Sequence, residues 1–284
     1  MMAGLGERMR ALAAALVLLC VPGVSLGGMA SELHLEGELI QGGLVRGQVA
    51  PGSAVWLDGR ELRVSPEGQF VFGFGRDARP RAELMVRHPD GKEDRRTLDV
   101  AARTYQVQRI EGLPPRQVTP SEQDLARIEA EAALIEMARS RNSADLGFTQ
   151  EVKWPARGRI SGIYGSQRIL NGEPRAPHRG IDVAAPAGSP VAAMAAGVVS
   201  LAEPDLYFTG GTVVVDHGHG LHSIYAHMRQ VLVEVGQSVA RGAPLGTVGA
   251  TGRATGPHLH WGVYWFDEAL DPALLVGPKP DSLG

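Results

Sequence analysis

At 284 residues the chain can bury a sizeable core in one large or two modest domains. Its formal net charge of −3 excludes a nucleic-acid binder that works through a strong basic excess. A single cysteine, Cys20, excludes an intramolecular disulfide, so the fold must rest on its core.

The predicted elements begin with a leader. Arg8 and Arg10 precede an apolar run over residues 11 to 21, followed by Pro22, Gly23 and small residues, which is the layout of a secretory signal peptide spanning residues 1 to 30. Cleavage after Gly27 or Ala30 is expected. The run is short for a membrane span and no later segment is apolar enough to be one, so no transmembrane anchor is expected. Cys20 lies in the run, but the bulky Leu19 before it argues against a lipoprotein signal. Loss of the leader would remove the only thiol. A metal site in such an exported chain would then use nitrogen and oxygen ligands.

Residues 31 to 107 read as all-β. Turn residues arrive at short intervals, at Gly42-Gly43, Pro51-Gly52, Asp58-Gly59, Pro66-Glu67-Gly68 and Pro89-Asp90-Gly91. Between them lie the strand candidates Ala54-Val55-Trp56-Leu57, Gln69-Phe70-Val71-Phe72 and Glu83-Leu84-Met85-Val86. Short strands so close together imply a small sandwich or barrel. His34 and His88 stand alone and read as surface residues, which leaves a binding or positioning module of unassigned role.

A linker over residues 108 to 150 contains a helix at about 120 to 141. Thr119 or Ser121 can cap it, Pro120 suits its first turn, and Leu125, Ile128, Ala132 and Ile135 recur at helical spacing. Acidic residues lie early, with Arg139 and Arg141 near the end, as the helix dipole favours. An amphipathic helix docked on a neighbouring surface is expected. Asn142, Ser143 and Gly147 then break it.

Residues 151 to 284 form the second predicted domain, a glycine-rich and mostly antiparallel β architecture. Gly158, Gly162 and Gly165 punctuate short strands, and residues 168 to 177 read as a polar loop. Strand candidates follow at Ser189-Pro190-Val191-Ala192-Ala193, at Gly197-Val198-Val199-Ser200, and at Gly211-Thr212-Val213-Val214-Val215-Asp216, a β-branched run suited to a buried strand. Asp216-His217-Gly218-His219-Gly220 makes a turn, and residues 221 to 228 return as the partner strand.

The chemistry gathers in this domain. On a strand alternate side chains share a face, so His258 and His260 of Gly256-Pro257-His258-Leu259-His260 would project together while Leu259 points into a core. In His178-Arg179-Gly180-Ile181-Asp182, an extended segment puts positions 178, 180 and 182 on one face, and Gly180 leaves room near the backbone. Two histidines and one carboxylate are a known ligand set for catalytic zinc, which keeps a position open for water. His217, His219 and His222 could suggest a second metal site, but their place in and after a turn favours solvated or backbone-bonded roles. Tyr164, Asn171 and Arg175 are candidates to line a cleft.

His178 to Pro186 with Pro190-Val191, then Tyr225-Ala226-His227, then Gly249-Ala250-Thr251-Gly252 running into Gly256-Pro257-His258-Leu259-His260, resemble the lysostaphin-type (LytM-type) zinc metallopeptidases, which are peptidoglycan endopeptidases. The likeness covers about residues 151 to 275 in one order and spacing, with Met228 replacing a common leucine as a minor departure. It implies one zinc ion per chain bound by His178, Asp182 and His260, with His227 and His258 acting on substrate and water. The unperturbed pKa of histidine suits proton transfer near neutrality, so His258 is the candidate general base, assisted by His227. No His-Glu-x-x-His helix is present to supply a glutamate base instead. The implied substrates are the stem peptides and crosslinks of cell wall, met in the periplasm or cell envelope, with secretion as the second choice. The alternative is a catalytically silent relative that regulates or scaffolds another wall hydrolase.

Overall fold

The computed structural model describes residues 33–110, 122–170 and 172–277. The leader, the capping candidates Thr119, Pro120 and Ser121, and Asn171 lie outside the described residues. The first strands are β1 His34–Gly37, β2 Leu44–Gln48, β3 Ala54–Leu57, β4 Arg60–Leu62, β5 Gln69–Gly73, β6 Arg81–Arg87, β7 Glu93–Asp99 and β8 Val107–Ile110. Alternation drives them: in β6, Ala82, Leu84 and Val86 point inward while Arg81, Glu83 and Arg87 face water. β1-β2-β5 and β4-β3-β6-β7 form two antiparallel sheets whose buried Val45, Val55, Phe70, Phe72 and Leu84 join one apolar cluster. The small sandwich expected from the turn spacing is present, with turns at each of the five predicted sites.

The helix, α1 Glu122–Arg139, lies on strands β14 and β15 given below. Its inward face differs from the predicted stripe. Ile128, Ile135 and Ala138 turn toward the sheet, but Leu125 and Ala132 are exposed. Polar contacts replace them: Glu131 accepts from the Tyr207 amide at 2.6 Å and Asp124 from the Tyr207 hydroxyl at 3.3 Å, while Arg127 reaches the Asp205 carbonyl at 3.0 Å. Apolar spacing alone does not register a face shared with half-buried carboxylates.

The remaining strands are β9 Arg159–Gly162, β10 Gln167–Leu170, β11 Glu173–Pro174, β12 Ile181–Ala184, β13 Pro190–Ala192, β14 Gly197–Leu206, β15 Gly210–Asp216, β16 Leu221–Val231, β17 Ser238–Val239, β18 Pro244–Val248, β19 His258–Trp265 and β20 Glu268–Leu270. The principal sheet runs β17-β14-β15-β16-β19-β12-β9 and is antiparallel, with β20 on β19 and the β13–β18 pair joined through β16. Residues 168 to 177 are not simply a loop. β10 pairs antiparallel with β11 and parallel with β8, so this polar stretch joins a third small sheet. A distant parallel partner leaves no local periodic signal, which is why the sequence reads as a loop.

The apolar core is continuous from the sandwich into the principal sheet. Leu270 of β20 is fully buried and sits over Gly73 of β5. Among the described residues no helix is long and apolar enough to cross a membrane. Leu270→Ala should cost about 2–5 kcal/mol, because a truncated core leucine leaves a cavity. Urea unfolding should show this as a lower midpoint in one transition for sandwich and sheet together; two separated transitions would contradict a shared core.

Candidate active site

Register brings the first pair of side chains together. β12 and β19 are antiparallel with Ile181 opposite Trp261, Asp182 opposite His260, Val183 opposite Leu259 and Ala184 opposite His258. Directly opposed residues share a face. Ile181, Val183, Leu259 and Trp261 therefore fill the core, while Asp182, His258 and His260 rise from the other side. Ala184 beside His258, and Ala226 of β16 beside His260, are small and leave room for the imidazoles.

His178 arrives from the segment before β12. Its Asp182-facing atom, Nε2, lies 3.1 Å from Asp182 Oδ1 and 3.1 Å from His260 Nδ1, and His260 Nδ1 is 3.0 Å from the same carboxylate oxygen. The extended reading of residues 178 to 182 gave the right convergence, though regular strand begins only at Ile181. Gly180 is needed for the approach, since a Cβ there would strike the Trp261 carbonyl. Gly162, opposite Asp182 on β9, likewise leaves space for the carboxylate, because a Cβ would collide with Asp182 Oδ2. The sequence shows Gly162 only as punctuation.

A divalent ion fits this donor set. His178 Nδ1 lies 3.0 Å from the Ile163 carbonyl, a pure acceptor, so Nδ1 carries the proton and Nε2 presents a lone pair to the cluster. Three electron-rich atoms within 3.0–3.1 Å of one another repel unless shared protons or a cation lie among them. Ligands bonded to tetrahedral zinc at about 2.0–2.1 Å stand about 3.3 Å apart, close to the spacing seen. His178, Asp182 and His260 are also the only such donor group among the described residues. Burial by itself would raise the Asp182 carboxyl, but the facing His178 and His260 imidazoles outweigh it and hold the group well below the usual carboxylate range. Burial lowers His260, with Asp182 opposing the shift.

The other two imidazoles stand beside this triangle. His258 and His227 have ring centroids 4.7 Å apart, and His227 is 6.3 Å from His260. Each turns Nδ1 to a backbone carbonyl, His258 to Gly256 at 2.8 Å and His227 to Thr251 at 2.9 Å, so in the neutral ring of each the lone pair is on Nε2. His258 Nε2 is 3.9 Å from Asp182 Oδ1. Burial pushes His227 down to about 4, helped by His258 and His260 and opposed by the Thr251 carbonyl and Asp182.

His227 reaches this face through a bulge. Between the pairs Val213–Tyr225 and Gly211–Met228, Thr212 alone opposes Ala226 and His227. His227 takes a left-handed backbone with φ of 62°. Regular alternation would have turned it to the core side with Tyr225. Thr251 secures the bulge: its hydroxyl donates to the Met228 carbonyl at 2.8 Å and accepts from the Gly211 amide at 2.9 Å. Thr251 lies within the Gly249-Ala250-Thr251-Gly252 motif, but its bracing role has no local sequence signal.

The residues 176–272 match the model of "Peptidase family M23". A solved structure described as a putative peptidase M23 from Pseudomonas aeruginosa is 34% identical, covers 84% of this chain and 96% of its own, and superposes with a TM-score of 0.66. The chain belongs to peptidase family M23. The family resemblance read from the sequence is borne out. Two further proteins are similar to part of the chain. Peptidoglycan DD-endopeptidase ShyA of Vibrio cholerae is 42% identical over 115 residues, and DD-carboxypeptidase/endopeptidase Mpg of Neisseria meningitidis is 38% identical over 104 residues. These alignments span 40% and 37% of this chain, and only 26% and 24% of the relatives' lengths.

Of the other residues singled out, Tyr164 lines a groove of about 750 Å³ beside His178, and Arg175 is not among the groove's lining residues. The other histidines of this region lie in and after the turn between β15 and β16, and they are not solvated. His217, His219 and His222 are buried, with Asp216. His217 bonds the Ala196 carbonyl and the Ser223 hydroxyl, each at 2.7 Å, and His222 bonds the Gly220 carbonyl at 3.1 Å, so the backbone-bonded reading holds for these two. Burial pushes His217 and His222 down to about 4.

In the unfolded chain these two titrate near pH 6.5. Between pH 6.5 and 4 the unfolded chain therefore binds more protons than the folded one. Their contribution to stability is complete above about pH 6.5 and is lost as the pH falls toward 4, by at most about 1.4 kcal/mol per pH unit for each imidazole. Urea unfolding of metal-free protein at pH 7, 6 and 5 should show falling stability. A flat profile would contradict the burial of these rings.

Proposed function

We propose that this M23 peptidase is an exported, zinc-dependent endopeptidase that hydrolyses peptide crosslinks of bacterial peptidoglycan. The carrying observation is the convergence of His178 Nε2, Asp182 Oδ1 and His260 Nδ1 within 3.0–3.1 Å, beside two imidazoles whose Nδ1 atoms are engaged by backbone carbonyls. His178, Asp182 and His260 would hold the ion. When bound, zinc supplies Lewis acidity toward an amide carbonyl and lowers the pKa of water toward neutrality.

The chain's own residues handle the proton. His258 Nε2 faces the ligand cluster and takes the proton of the attacking water; protonated, it can deliver that proton to the leaving amine. His227, beside His258, presents the lone pair of its Nε2 toward the same side and helps to orient the attacking water as it loses its proton. Its depressed basicity keeps it neutral before substrate binds, so it does not repel the cation. Asp182 and the two ligand histidines stay fixed by strand register and by the Ile163 carbonyl.

The names of the relatives support a wall substrate, and the DD-endopeptidase among them favours a bond between D-alanine and a diamino acid over a glycine bridge. The leader over residues 1 to 30 and a wall substrate together fit the periplasm or cell envelope. A silent scaffold is not favoured, because all five positions are filled and face one another.

Mature protein should release soluble muropeptides from crosslinked wall, and a chelator should stop the release. His258→Ala should retain stoichiometric zinc and lose turnover by about 10²–10⁴-fold. His178→Ala should lose both zinc and turnover. Mass spectrometry of the products identifies the bond; zinc-loaded protein that releases nothing from any crosslinked wall would overturn the reading.

A further inference from the structure

The sandwich contributes to the geometry of the ion site through the loop that holds His178. That loop, between β9 and β10, grips the histidine three times. The Gly165 amide donates to the His178 carbonyl at 2.8 Å, the His178 amide donates to the Ser166 carbonyl at 2.8 Å, and His178 Nδ1 donates to the Ile163 carbonyl at 3.0 Å. The loop is in turn held from outside. Arg76, between β5 and β6, donates Nε to the Gly165 carbonyl at 2.9 Å, and its guanidinium is fixed by Asp77 at 2.7 Å.

Tyr105 fills the space behind the loop. Arg76 lies over its ring at 4.6 Å and Arg103 at 5.4 Å, and the ring meets Tyr164 edge-on at 6.0 Å. Arg103 is tied to the buried Asp271 at 2.8 Å and to Gln41 through its amide at 2.9 Å. Gly165 has φ of 75°, and a Cβ there would enter the Tyr105 ring, so loop and ring are fitted to each other. Arg76, Arg103 and Tyr105 all lie outside the residues 176–272 that match the family.

We propose that Arg76 is a positioning residue for the ion site, acting with Tyr105 through the Gly165 carbonyl to set the place of the His178 imidazole against Asp182 and His260. This rests on the zinc reading above. Gly165 is buried, so removing the guanidinium leaves a buried carbonyl unpaired and the loop must shift to hydrate it. The shift passes to His178 through three hydrogen bonds, whereas zinc tolerates departures of only about 0.2 Å in its bonds. Asp182 and His260, locked by strand pairing, cannot follow.

The test is zinc affinity by chelator competition on the full mature chain, with the unfolding midpoint of the metal-free protein measured beside it. Arg76→Ala should bind zinc about ten-fold more weakly, at the low end of the range for groups that orient a metal ligand from outside. Its metal-free midpoint should stay near that of the parent. Arg76→Lys, which restores a donor, should recover most of the affinity. Arg76→Leu keeps an apolar cover on Tyr105 without the hydrogen bond and should match the alanine variant, which carries the test should that variant fail to fold. Parental zinc affinity in Arg76→Leu, or equal losses in the lysine and leucine variants, would overturn the proposal. If the parent binds zinc and hydrolyses no wall, the enzyme reading fails and the positioning role stands; if the parent binds no zinc, both fail.

Discussion

The antiparallel pairing of β12 with β19 is the constraint on which the site depends. It sets Asp182 directly opposite His260, and a slip of one residue would send one of them into the core. The slip is resisted from below, where Ile181, Val183, Leu259 and Trp261 are almost wholly buried. The apolar face of these two strands therefore fixes the chemistry of their polar face. Ligand spacing is a consequence of core packing, and the loops only complete it.

His178 and His227 are added to this frame by different devices. His178 comes from irregular chain, so its place is set by the backbone hydrogen bonds of the β9–β10 loop. His227 comes from a regular strand whose alternation is wrong for the task, and a bulge with a left-handed residue corrects it. Left-handed backbone in a residue with a Cβ is costly, and it persists here because the Thr209 carbonyl accepts from the His227 amide and the Thr251 carbonyl from its ring, with Thr251 itself held by the Gly211 amide. Close packing of imidazoles also explains the alanines and glycines around them, which yield volume at the points where the rings and the carboxylate need it.

The legible parts of the sequence were those whose signal is local. Strand alternation placed His258 and His260 on one face with Leu259 beneath, and the turn residues of the sandwich bracketed the candidates that became β3, β5 and β6. The order and spacing of the motifs identified the peptidase family. What escaped depended on distant partners. β10 was hidden because it pairs with β8, some sixty residues earlier. The face of α1 was misread because Glu131 and Asp124 point inward to meet Tyr207. The burial of His217 and His222 follows from neighbouring strands and from backbone carbonyls that accept their protons, neither of which alters the pattern of the turn itself.

The account stands or falls on one convergence point for a metal ion. Crystals grown with zinc, with diffraction recorded on both sides of the zinc absorption edge, measure it most directly. One anomalous peak per chain should lie about 2.0–2.2 Å from His178 Nε2, Asp182 Oδ1 and His260 Nδ1, with His227 and His258 beside it and not bonded to it. A peak centred on any other set of side chains, or none at full zinc loading, would contradict it.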